Sequence, residues 1–502
     1  ASDRWSNLAD EHELYCAGHL MQAAVAHHRA TGSERLLQVA SRFADLICRI
    51  FGADETQKPG AAGHPEIEMG LVELARATGK DKYLQQAHVQ LSCRGLGVAG
   101  GDPYHQDHVP FHHLEEIVGH AVRAVYLNAG AADIYAETGE NLTLETLERL
   151  WRSMAHRKMY VTGGIGPHHQ GEAFGNDYEL PNERAYAETC AAIANIMWNW
   201  RMLSVDPRAA YADTLELALF NGFLGGISLD GTKYYYENPL ADDGSHRRED
   251  WFDCACCPPN VARTIASLPG YFYSTSSEGI WVHLYGSNTA TIPAPDGSNV
   301  NLTQETRYPW DGNIELTIRG SGLFSLFLRV PGWCGEEARL TVNGNEQPSP
   351  SSGSYAEIRR EWKDGDRVRL NLAMKAVRMA SHPHVTQNLN RVAFRRGPIL
   401  YCVEEVDNPG IDPRDIVLPA QGAVVETNFD DDLLGGVITL RTEASVHPPA
   451  DYWQDQLYSP LSSLDRGQAP GSRSGKKNIK AIPYFARANR QPARMQIWLR
   501  SG

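Results

Sequence analysis

The chain has 502 residues, of which 42% are hydrophobic and 22% are charged, a composition typical of a globular protein. This length is too great for one compact core and predicts roughly two to four domains. Forty-seven basic and sixty-one acidic residues leave a net charge of −14. That balance argues against a nucleic-acid binder, because such a protein needs a basic face.

The sequence also predicts a cytoplasmic protein. No run approaches the ~18 apolar residues that a membrane span requires. The start of the chain, Ala-Ser-Asp-Arg-Trp, lacks the basic and apolar segments of a signal peptide. The nine cysteines are an odd number, and most of them stand far apart. This makes a poor disulfide framework and favours a reducing compartment.

The first half of the chain shows the apolar period of α-helices. In three helix pairs the first helix ends in a Thr-Gly turn, and Gly32, Gly79 and Gly139 fit the left-handed position that follows a helix. This recurrence predicts a stacked helical-hairpin repeat. The helices predicted before residue 272 cover residues 13–30, 34–50, 66–76, 81–93, 113–135, 142–154, 183–203, 207–224 and 258–271.

After residue 272 the apolar period changes to two, which predicts β-strands. Asn343-Gly344 and Asp364-Gly365 are hairpin turn signals. The simplest interpretation is a helical domain over residues 1–272, then two β-sandwich domains over residues 273–380 and 381–502. Residues 459–477, rich in Ser, Gly and Arg, predict a loop. The predicted strands cover residues 281–285, 314–318, 323–328, 368–372, 392–403, 437–440 and 495–499.

The densest cluster of reactive residues is Cys254-Ala-Cys256-Cys257-Pro258-Pro259. Adjacent cysteines rarely bridge each other, because the ring that they would form is strained. The prolines can open a helix, since the first helical position needs no N–H. Cys256 and Cys257 would then lie at a helix N-terminus, where the dipole favours a thiolate. A pair of inert buried thiols is the alternative, but three cysteines within four residues favour a metal-binding or catalytic role.

A second cluster, Glu188-Thr-Cys190, adds a carboxylate and a thiol. Glu188, Cys190, Cys256 and Cys257 together are four ligands of types that zinc accepts, although their spacing is not that of a zinc finger. Residues two apart lie on different faces of a helix. Glu188 and Cys190 can therefore share one ion only where the helix is irregular, so we expect such a site at the ends of elements.

A glycine-rich loop over residues 161–174 precedes this cluster, and loops are common places for catalytic groups. Within it, Glu172 is a candidate general acid/base, with a solvated surface carboxylate as the alternative. His12, His64 and His120 recur at the starts or middles of helices. They would suit a pocket ringed by helix ends, although each could be an ordinary core or surface histidine. Residues 234–238 predict a strand beside that pocket.

Short motifs along nearly the whole chain share one pattern. They are His12-Glu-Leu-Tyr, Gly63-His-Pro-Glu-Ile-Glu, Gly119-His-Ala-Val-Arg, Gly171-Glu-Ala-Phe, Leu180-Pro-Asn-Glu, Tyr186-Ala-Glu-Thr-Cys, Leu219-Phe-Asn-Gly, Tyr234-Tyr-Tyr, Trp251-Phe-x-Cys-Ala-Cys-Cys-Pro-x-Asn and Ile482-Pro-Tyr-Phe-Ala-Arg-Ala-Asn-Arg. Together they resemble glycoside hydrolase family 127, the β-L-arabinofuranosidases. The Cys-Cys-Pro block is the most specific of them.

The resemblance implies an (α/α)6 barrel followed by two β-sandwiches, and a retaining hydrolase that releases terminal β-L-arabinofuranose. Cys256 matches the family nucleophile and Glu172 the acid/base. The residues that match the ligands of a Zn²⁺ cofactor are Glu188, Cys190, Cys256 and Cys257. By the same matching, the residues that would line the sugar pocket are His12, His64, His120, Glu216 and Tyr236.

The chain departs from the family pattern at its start. Family members usually carry a further stretch of chain before the segment that matches His12, and an (α/α)6 barrel needs more helices than are predicted here. The expectation is therefore a barrel that lacks its N-terminal helices, either by truncation or because another element closes it.

Two alternative functions stay open on the sequence. The same mechanism could act on another furanose of plant pectin, because motifs for the machinery do not specify the sugar. A protein of another class, a non-catalytic zinc-stabilised carbohydrate-binding protein, could carry the same cysteines. The predicted partner is an oligosaccharide or glycoconjugate, with no nucleic acid and no membrane, and a homodimer is left open.

Overall fold

The computed structural model describes residues 3–421, 425–449, 457–460 and 475–502. A helical region is followed by a β-rich region, as the sequence predicts. The loop predicted over residues 459–477 lies mostly outside the described residues. The α-helices are α1 (Glu13–Thr31), α2 (Arg35–Ile50), α3 (Ile67–Thr78), α4 (Asp81–Ser92), α5 (Ala121–Thr138), α6 (Asn141–Ser153), α7 (Thr189–Val205), α8 (Ala209–Leu217) and α9 (Cys257–Ser267).

The β-strands lie almost wholly after α9. They are β1 (Ala241–Asp242), β2 (Tyr273–Thr275), β3 (Gly279–Val282), β4 (Asn288–Pro293), β5 (Asn299–Thr306), β6 (Asn313–Arg319), β7 (Gly322–Val330), β8 (Arg339–Val342), β9 (Asn345–Glu346), β10 (Ser354–Trp362), β11 (Arg367–Asn371), β12 (Ala376–Met379), β13 (Arg391–Arg396), β14 (Ile399–Glu404), β15 (Ile416–Leu418), β16 (Glu426–Asp430), β17 (Val437–Val446), β18 (Lys476–Pro483), β19 (Met495–Gln496) and β20 (Leu499–Ser501).

The chain divides into two compact units. The first contains residues 1–180 and 186–207, and the second contains residues 181–185 and 208–502. Helices α1 to α7 belong to the first unit, while α8, α9 and the strands belong to the second. The domain boundaries near residues 272 and 380 stay a prediction. In the described part of the chain, none of the helices combines the length and apolarity that crossing a bilayer requires.

In the first unit the odd-numbered helices form an inner layer. Helices α1, α3, α5 and α7 pack side by side in that order, and α2, α4 and α6 each pack against the inner helix that precedes them in the chain. Most of α5 is buried, which fits an inner position. By contrast, the outer helix α6 buries only one face, as an amphipathic helix does.

The repeated Thr-Gly turns close the inner helices as predicted. Gly32, Gly79 and Gly139 have φ angles of 73°, 67° and 67°. In each turn the glycine N–H donates to the carbonyl four residues before it. The preceding threonine hydroxyl donates to the carbonyl four residues before itself, as Thr78 Oγ1 does to Leu74 O at 2.7 Å. The glycine N–H thereby satisfies a carbonyl that the helix end would otherwise leave without a partner, and the threonine bond is an additional one.

Two helices begin later than predicted. Helix α5 begins at Ala121 rather than near residue 113, and α7 begins at Thr189 rather than near residue 183. Before α5, Gly119 has φ 75°, and before α7, Ala187 has φ 40°. Left-handed backbone at these positions interrupts a helix, although the apolar period continues through it. Both shifts leave a candidate site residue at the helix N-cap.

The second unit contains a β-sandwich. A four-stranded sheet in the order β10-β7-β3-β2 faces a six-stranded sheet in the order β4-β5-β6-β11-β8-β9. Alternate residues from both sheets form its core, among them Leu326, Leu316 and the fully buried Trp362. The predicted Asn343-Gly344 turn joins β8 to β9, with φ of 50° and 80° at its two residues. Both central residues of a type I′ hairpin turn need positive φ.

A larger sheet follows in the same unit. It has ten strands, with β1-β19-β14-β18-β17-β15-β20-β13-β12 as its main path. The single strand predicted over residues 392–403 is a hairpin, because the chain reverses at Gly397, where φ is 55°. The predicted strand over residues 234–238 is replaced by isolated bridges of Tyr234 to Ile227 and Glu249. A high β-strand propensity of Tyr and Val does not by itself show that a neighbouring strand is available for pairing.

Candidate active site

The inner helices of the first unit begin at the predicted site residues. His12 is the N-cap of α1, His120 the N-cap of α5 and Glu188 the N-cap of α7. His64 lies three residues before α3. The ring centroids of His12 and His64 are 5.9 Å apart, as are those of His64 and His120. The structure therefore brings the three predicted histidines together at one end of the helical layer.

Two of these histidines are held neutral. Burial, with Arg123 nearby, places the pKa of His64 well below its usual value. Burial and Arg123 also lower the pKa of His12. The Nδ1–H of His64 donates to Pro65 O at 2.9 Å, which leaves its Nε2 as an acceptor. Neutral imidazoles that can accept or donate single hydrogen bonds suit the hydroxyl groups of a sugar better than they suit an anion.

Two further residues, to which the sequence analysis assigns no role, lie beside these histidines. The guanidinium of Arg123 lies 4.5 Å from the ring centroid of Tyr104, and its Nη1 donates to Gly63 O at 3.2 Å. Arg123 is part of the Gly119-His-Ala-Val-Arg motif and follows the His120 N-cap by three positions, so it lies in the first turn of α5 beside His120. Tyr104 lies in a single 3-10 turn, Pro103–His105, which is too short for a periodic pattern to indicate its position.

Glu172 projects from the predicted glycine-rich loop. The loop turns through Gly171 and Glu172, which have φ angles of 71° and 49°. Glu172 Oε2 lies 2.9 Å from His120 Nε2. His120 Nδ1 accepts the N–H of Arg123 as the cap of α5. Because Nδ1 acts as an acceptor, the ring proton is on Nε2. The Nε2–H group therefore donates a hydrogen bond to Glu172, which orients this carboxylate.

A second carboxylate lies beside Glu172. One ligand atom from each of His120, Glu172 and Glu188 lies within 4.8 Å of the others. Glu188 is 2% exposed, whereas the side chain of Glu172 is 31% exposed. The two carboxylates therefore differ in solvation, and a difference in solvation changes how readily a carboxylate exchanges a proton.

The vicinal cysteines lie at a helix N-terminus, as the sequence predicts. Cys256 is the N-cap of α9 and Cys257 its first residue, with proline following in the first turn. The two Sγ atoms are 3.8 Å apart, and Cys256 Sγ lies 3.4 Å from the hydroxyl of Tyr236. Cys257 is fully buried. None of the nine cysteines, all of which lie in the described part of the chain, forms a disulfide.

The four predicted ligands form a group that could hold a metal ion. One ligand atom from each of Glu188, Cys190, Cys256 and Cys257 lies within 4.8 Å of the others. Glu188 has non-helical angles, φ −55° and ψ 142°, and Cys190 lies in the first turn of α7. These residues lie at the ends of elements, where such a site is expected, because a regular helix would direct Glu188 and Cys190 to different faces. That they bind a metal ion stays a prediction.

Glu216 occupies a different setting. It is 1% exposed, and its carboxylate accepts hydrogen bonds from Tyr308 at 2.5 Å, Trp333 at 3.1 Å and Arg329. Arg329 is fully buried and also donates to Asp213 at 2.6 Å. These contacts describe a buried ionic network, and the sugar-binding role of Glu216 stays a prediction.

Family models match nearly all of the chain. The model of the β-L-arabinofuranosidase GH127 catalytic domain matches residues 1–270, and that of the β-L-arabinofuranosidase GH127 middle domain matches residues 279–374. The model of the glycoside hydrolase family 127 C-terminal domain matches residues 376–500.

Three individual relatives agree with this match. The chain is 36% identical to a non-reducing end β-L-arabinofuranosidase of Bifidobacterium longum subsp. longum, over 99% of this chain and 80% of that protein. It is 41% identical to a GH127 β-L-arabinofuranosidase from Geobacillus stearothermophilus T6, with a TM-score of 0.92 over 100% of this chain and 82% of that one. It is 38% identical to a GH127 β-arabinofuranosidase of known structure, with a TM-score of 0.91 over 99% and 78% of the two chains.

Proposed function

Because the chain belongs to glycoside hydrolase family 127, we propose that it releases terminal β-L-arabinofuranose from arabino-oligosaccharides or glycoconjugates with retention of configuration, using a zinc-bound Cys256 thiolate as its nucleophile. The observation that carries the proposal is the placement of the vicinal cysteines at a helix N-terminus within a four-ligand group that includes Glu188. The names of the curated and structural relatives support the choice of sugar.

The donor set fits zinc. Two sulfurs that bind one tetrahedral ion at the usual Zn–S distance lie ~3.8 Å apart, and the Sγ atoms of Cys256 and Cys257 are 3.8 Å apart. We assign Glu188, Cys190, Cys256 and Cys257 as the four ligands. When bound, zinc would keep the Cys256 thiol deprotonated near neutral pH.

Metal analysis tests this assignment directly. We expect one zinc per chain in the purified wild-type protein and a large loss of zinc in Cys257→Ser. Cys334→Ser is the matched control, because Cys334 is also buried but belongs to the β-sandwich core. Chelation should lower the unfolding temperature of the wild type, since metal binding contributes to folding. Active wild-type protein without zinc would contradict the assignment.

The chemistry then proceeds in two steps on the residues of this chain. The Cys256 thiolate forms a bond to the anomeric carbon while the bond to the leaving oxygen breaks, and Glu172 gives its proton to that oxygen. Glu172, now a carboxylate, then takes a proton from water, which attacks the anomeric carbon and releases the sulfur. His120 donates a hydrogen bond to Glu172 and holds it in place for both transfers.

Two variants separate the roles of these residues. Cys256→Ser should lower kcat by more than tenfold, a barrier increase above ~1.4 kcal/mol, because a serine hydroxyl is a poor nucleophile without a strong base. Glu172→Ala should cripple hydrolysis of a natural disaccharide but spare the first step with a nitrophenyl leaving group. Mass spectrometry should then find the sugar on the peptide that contains Cys256.

A control carboxylate sharpens the test. Glu179 lies close to the same loop and pairs with His168 at 2.8 Å, so Glu179→Ala changes the local charge in the same way. Equal losses on both substrates in Glu172→Ala, with no rescue by azide, would remove Glu172 as acid/base. Proton NMR of the first product formed tests retention, because an inverting enzyme would release the opposite anomer.

A substrate screen identifies the sugar. We propose that His12, His64, His120 and Tyr236 contact it, because the structure groups the histidines and holds Tyr236 against Cys256. Nitrophenyl furanosides and pyranosides should show a preference for β-L-arabinofuranoside. Faster release of another pectin furanose would change the substrate but not the mechanism. The cytoplasm stays our proposed location, because nine cysteines without a disulfide among the described residues suit a reducing compartment. Cell fractionation tests it, and the oligomeric state stays a prediction.

A further inference from the structure

The second unit contains a cavity of about 330 Å³ that no step of the proposed reaction uses. It lies beside α8, the segment after β7 and the β13–β14 turn. Asp213, Glu216, Trp333 and Arg395 line it with backbone from Gly397. Its size is at the lower end of the range for small-molecule sites, which suits a ligand of one or two sugar rings. None of these residues is a proposed nucleophile, acid/base or zinc ligand.

One wall of the cavity is fixed before any ligand binds. Asp213 accepts hydrogen bonds from Arg329 Nη1 at 2.6 Å and from the N–H of Gly332 at 2.8 Å. The indole Nε1 of Trp333 donates to Glu216 at 3.1 Å, which fixes the ring. The side chain of Asp213 nevertheless stays 26% exposed. Its carboxylate and the indole are therefore held in place and accessible, as the polar and apolar groups of a binding site need to be.

Arg395 contributes an unsatisfied cation to the same cavity. Its backbone is paired within the sheet, but its guanidinium has no hydrogen-bond or ion-pair partner among the described residues, and the Nε atom is buried. Burial lowers its pKa against the opposing effect of Asp213 and Glu216, so both carboxylates are close enough to act on it without pairing with it. A partly buried guanidinium without a partner is costly. Water or a ligand must therefore supply acceptors at this position.

The charges around the cavity favour a neutral ligand. Asp213 and Glu216 carry two negative charges, and Arg329 and Arg395 carry two positive charges. An anion drawn to Arg395 would also meet the carboxylate of Asp213. A hydroxyl group can accept from Arg395 and donate to Asp213 at once, because it is both acceptor and donor. The indole of Trp333 offers apolar surface for the C–H groups of a sugar ring.

We propose that this cavity is a second carbohydrate site, which binds a neutral mono- or disaccharide between Asp213, Arg395 and Trp333. The proposal does not depend on the proposed zinc–cysteine mechanism, because none of its residues takes part in that mechanism. Such a site would hold part of a longer substrate or a released pentose. It would also give Glu216, predicted to line a sugar pocket, a place beside a saccharide.

Crystals of the wild-type protein soaked with increasing concentrations of L-arabinose test the site by its position. We expect the pentose in this cavity with a hydroxyl bridging Asp213 and Arg395. In Arg395→Met the concentration for half occupancy should rise by at least about tenfold, since a hydrogen bond to a charged group is lost. Arg391→Met is the matched control, because Arg391 lies on the same strand but does not line the cavity.

Several outcomes would overturn the proposal. The proposal fails if the wild-type cavity contains only ordered water at a saturating concentration of L-arabinose. It also fails if the occupancy of the sugar is equal in the wild type and in Arg395→Met. D-galacturonate is the anionic probe, and its binding where L-arabinose does not bind would show a site for acids instead. The wild-type soaks decide the question even if a variant fails to fold. A result here leaves the Cys256 and Glu172 experiments unaffected.

Discussion

The buried ion pair of Arg329 allows a quantitative test of what stabilises the second unit. Arg329 is fully buried, joins Asp213 and Glu216, and donates through Nε to His283 O at 2.6 Å. The two carboxylates keep the pKa of Arg329 well above its usual value despite the opposing effect of burial. Arg329→Met keeps most of the side-chain volume but removes the cation. Glu216 is then left as a buried negative charge, and Tyr308 and Trp333 are its remaining side-chain donors in the part of the chain that the structure describes.

Breaking a buried pair from one side typically costs ~3–5 kcal/mol. We expect a value near the lower limit, because Glu216 keeps two neutral donors and Asp213 is partly exposed. At roughly 2–4 °C per kcal/mol for a large domain, the unfolding temperature should fall by at least about 6 °C. Scanning calorimetry measures this fall. Arg395→Met is the control, because Arg395 has no partner among the described residues and its loss should cost under ~1 kcal/mol.

A second comparison checks the reasoning. Adding Glu216→Gln and Asp213→Asn to Arg329→Met removes the unpaired charges, so part of the lost stability should return. Equal unfolding temperatures for Arg329→Met and Arg395→Met would refute the argument. A triple variant less stable than Arg329→Met would also refute it, because the loss would then come from shape rather than charge.

Three further predictions follow from individual contacts. Burial lowers the pKa of His283 to about 3. Between that pH and ~6.5 the unfolded chain binds a proton that the folded chain does not, so the free energy of unfolding should decrease by up to ~1.4 kcal/mol for each unit that the pH is lowered. Urea titrations at several pH values measure this slope, which His283→Asn should reduce. His120→Asn keeps a helix cap but loses the donor to Glu172, so kcat/KM should fall while the unfolding temperature stays near that of the wild type; an unchanged kcat/KM would contradict the orienting role. Gly79→Ala should cost ~1 kcal/mol from backbone strain alone in calorimetry, since a Cβ at Gly79 meets no atom within 4 Å.

The sequence predicts most of the helices well, because they depend on local pattern. The Thr-Gly turns and the prolines after Cys257 are short-range signals, and the structure confirms them. The predicted start of α5 was wrong, because the apolar period continues through Gly119. The period does not reveal that the backbone at Gly119 is left-handed. The hairpin at Gly397 was missed for a similar reason.

Long-range partners explain the other differences. Nothing near Glu216 in the chain indicates that Tyr308, Arg329 and Trp333 converge on it, since about 90 or more positions separate them. Tyr104 is likewise placed by its contact with Arg123 rather than by its own segment. Contacts between residues far apart in the chain follow from the packing of whole elements, and one sequence without an alignment carries no direct record of them.

The shared position of the inner-helix N-termini has an electrostatic consequence. Each helix N-terminus carries roughly half a positive charge from its unsatisfied amides, and α1, α3, α5 and α7 begin at or near the grouped site residues. The backbone therefore sets a local positive potential in a chain whose net charge is −14. That potential opposes protonation of His12 and His64, in the same direction as their burial and the nearby Arg123. His12 and His64 can thus stay uncharged beside two carboxylates, so a ligand bound next to them would meet hydrogen-bonding groups rather than positive charges.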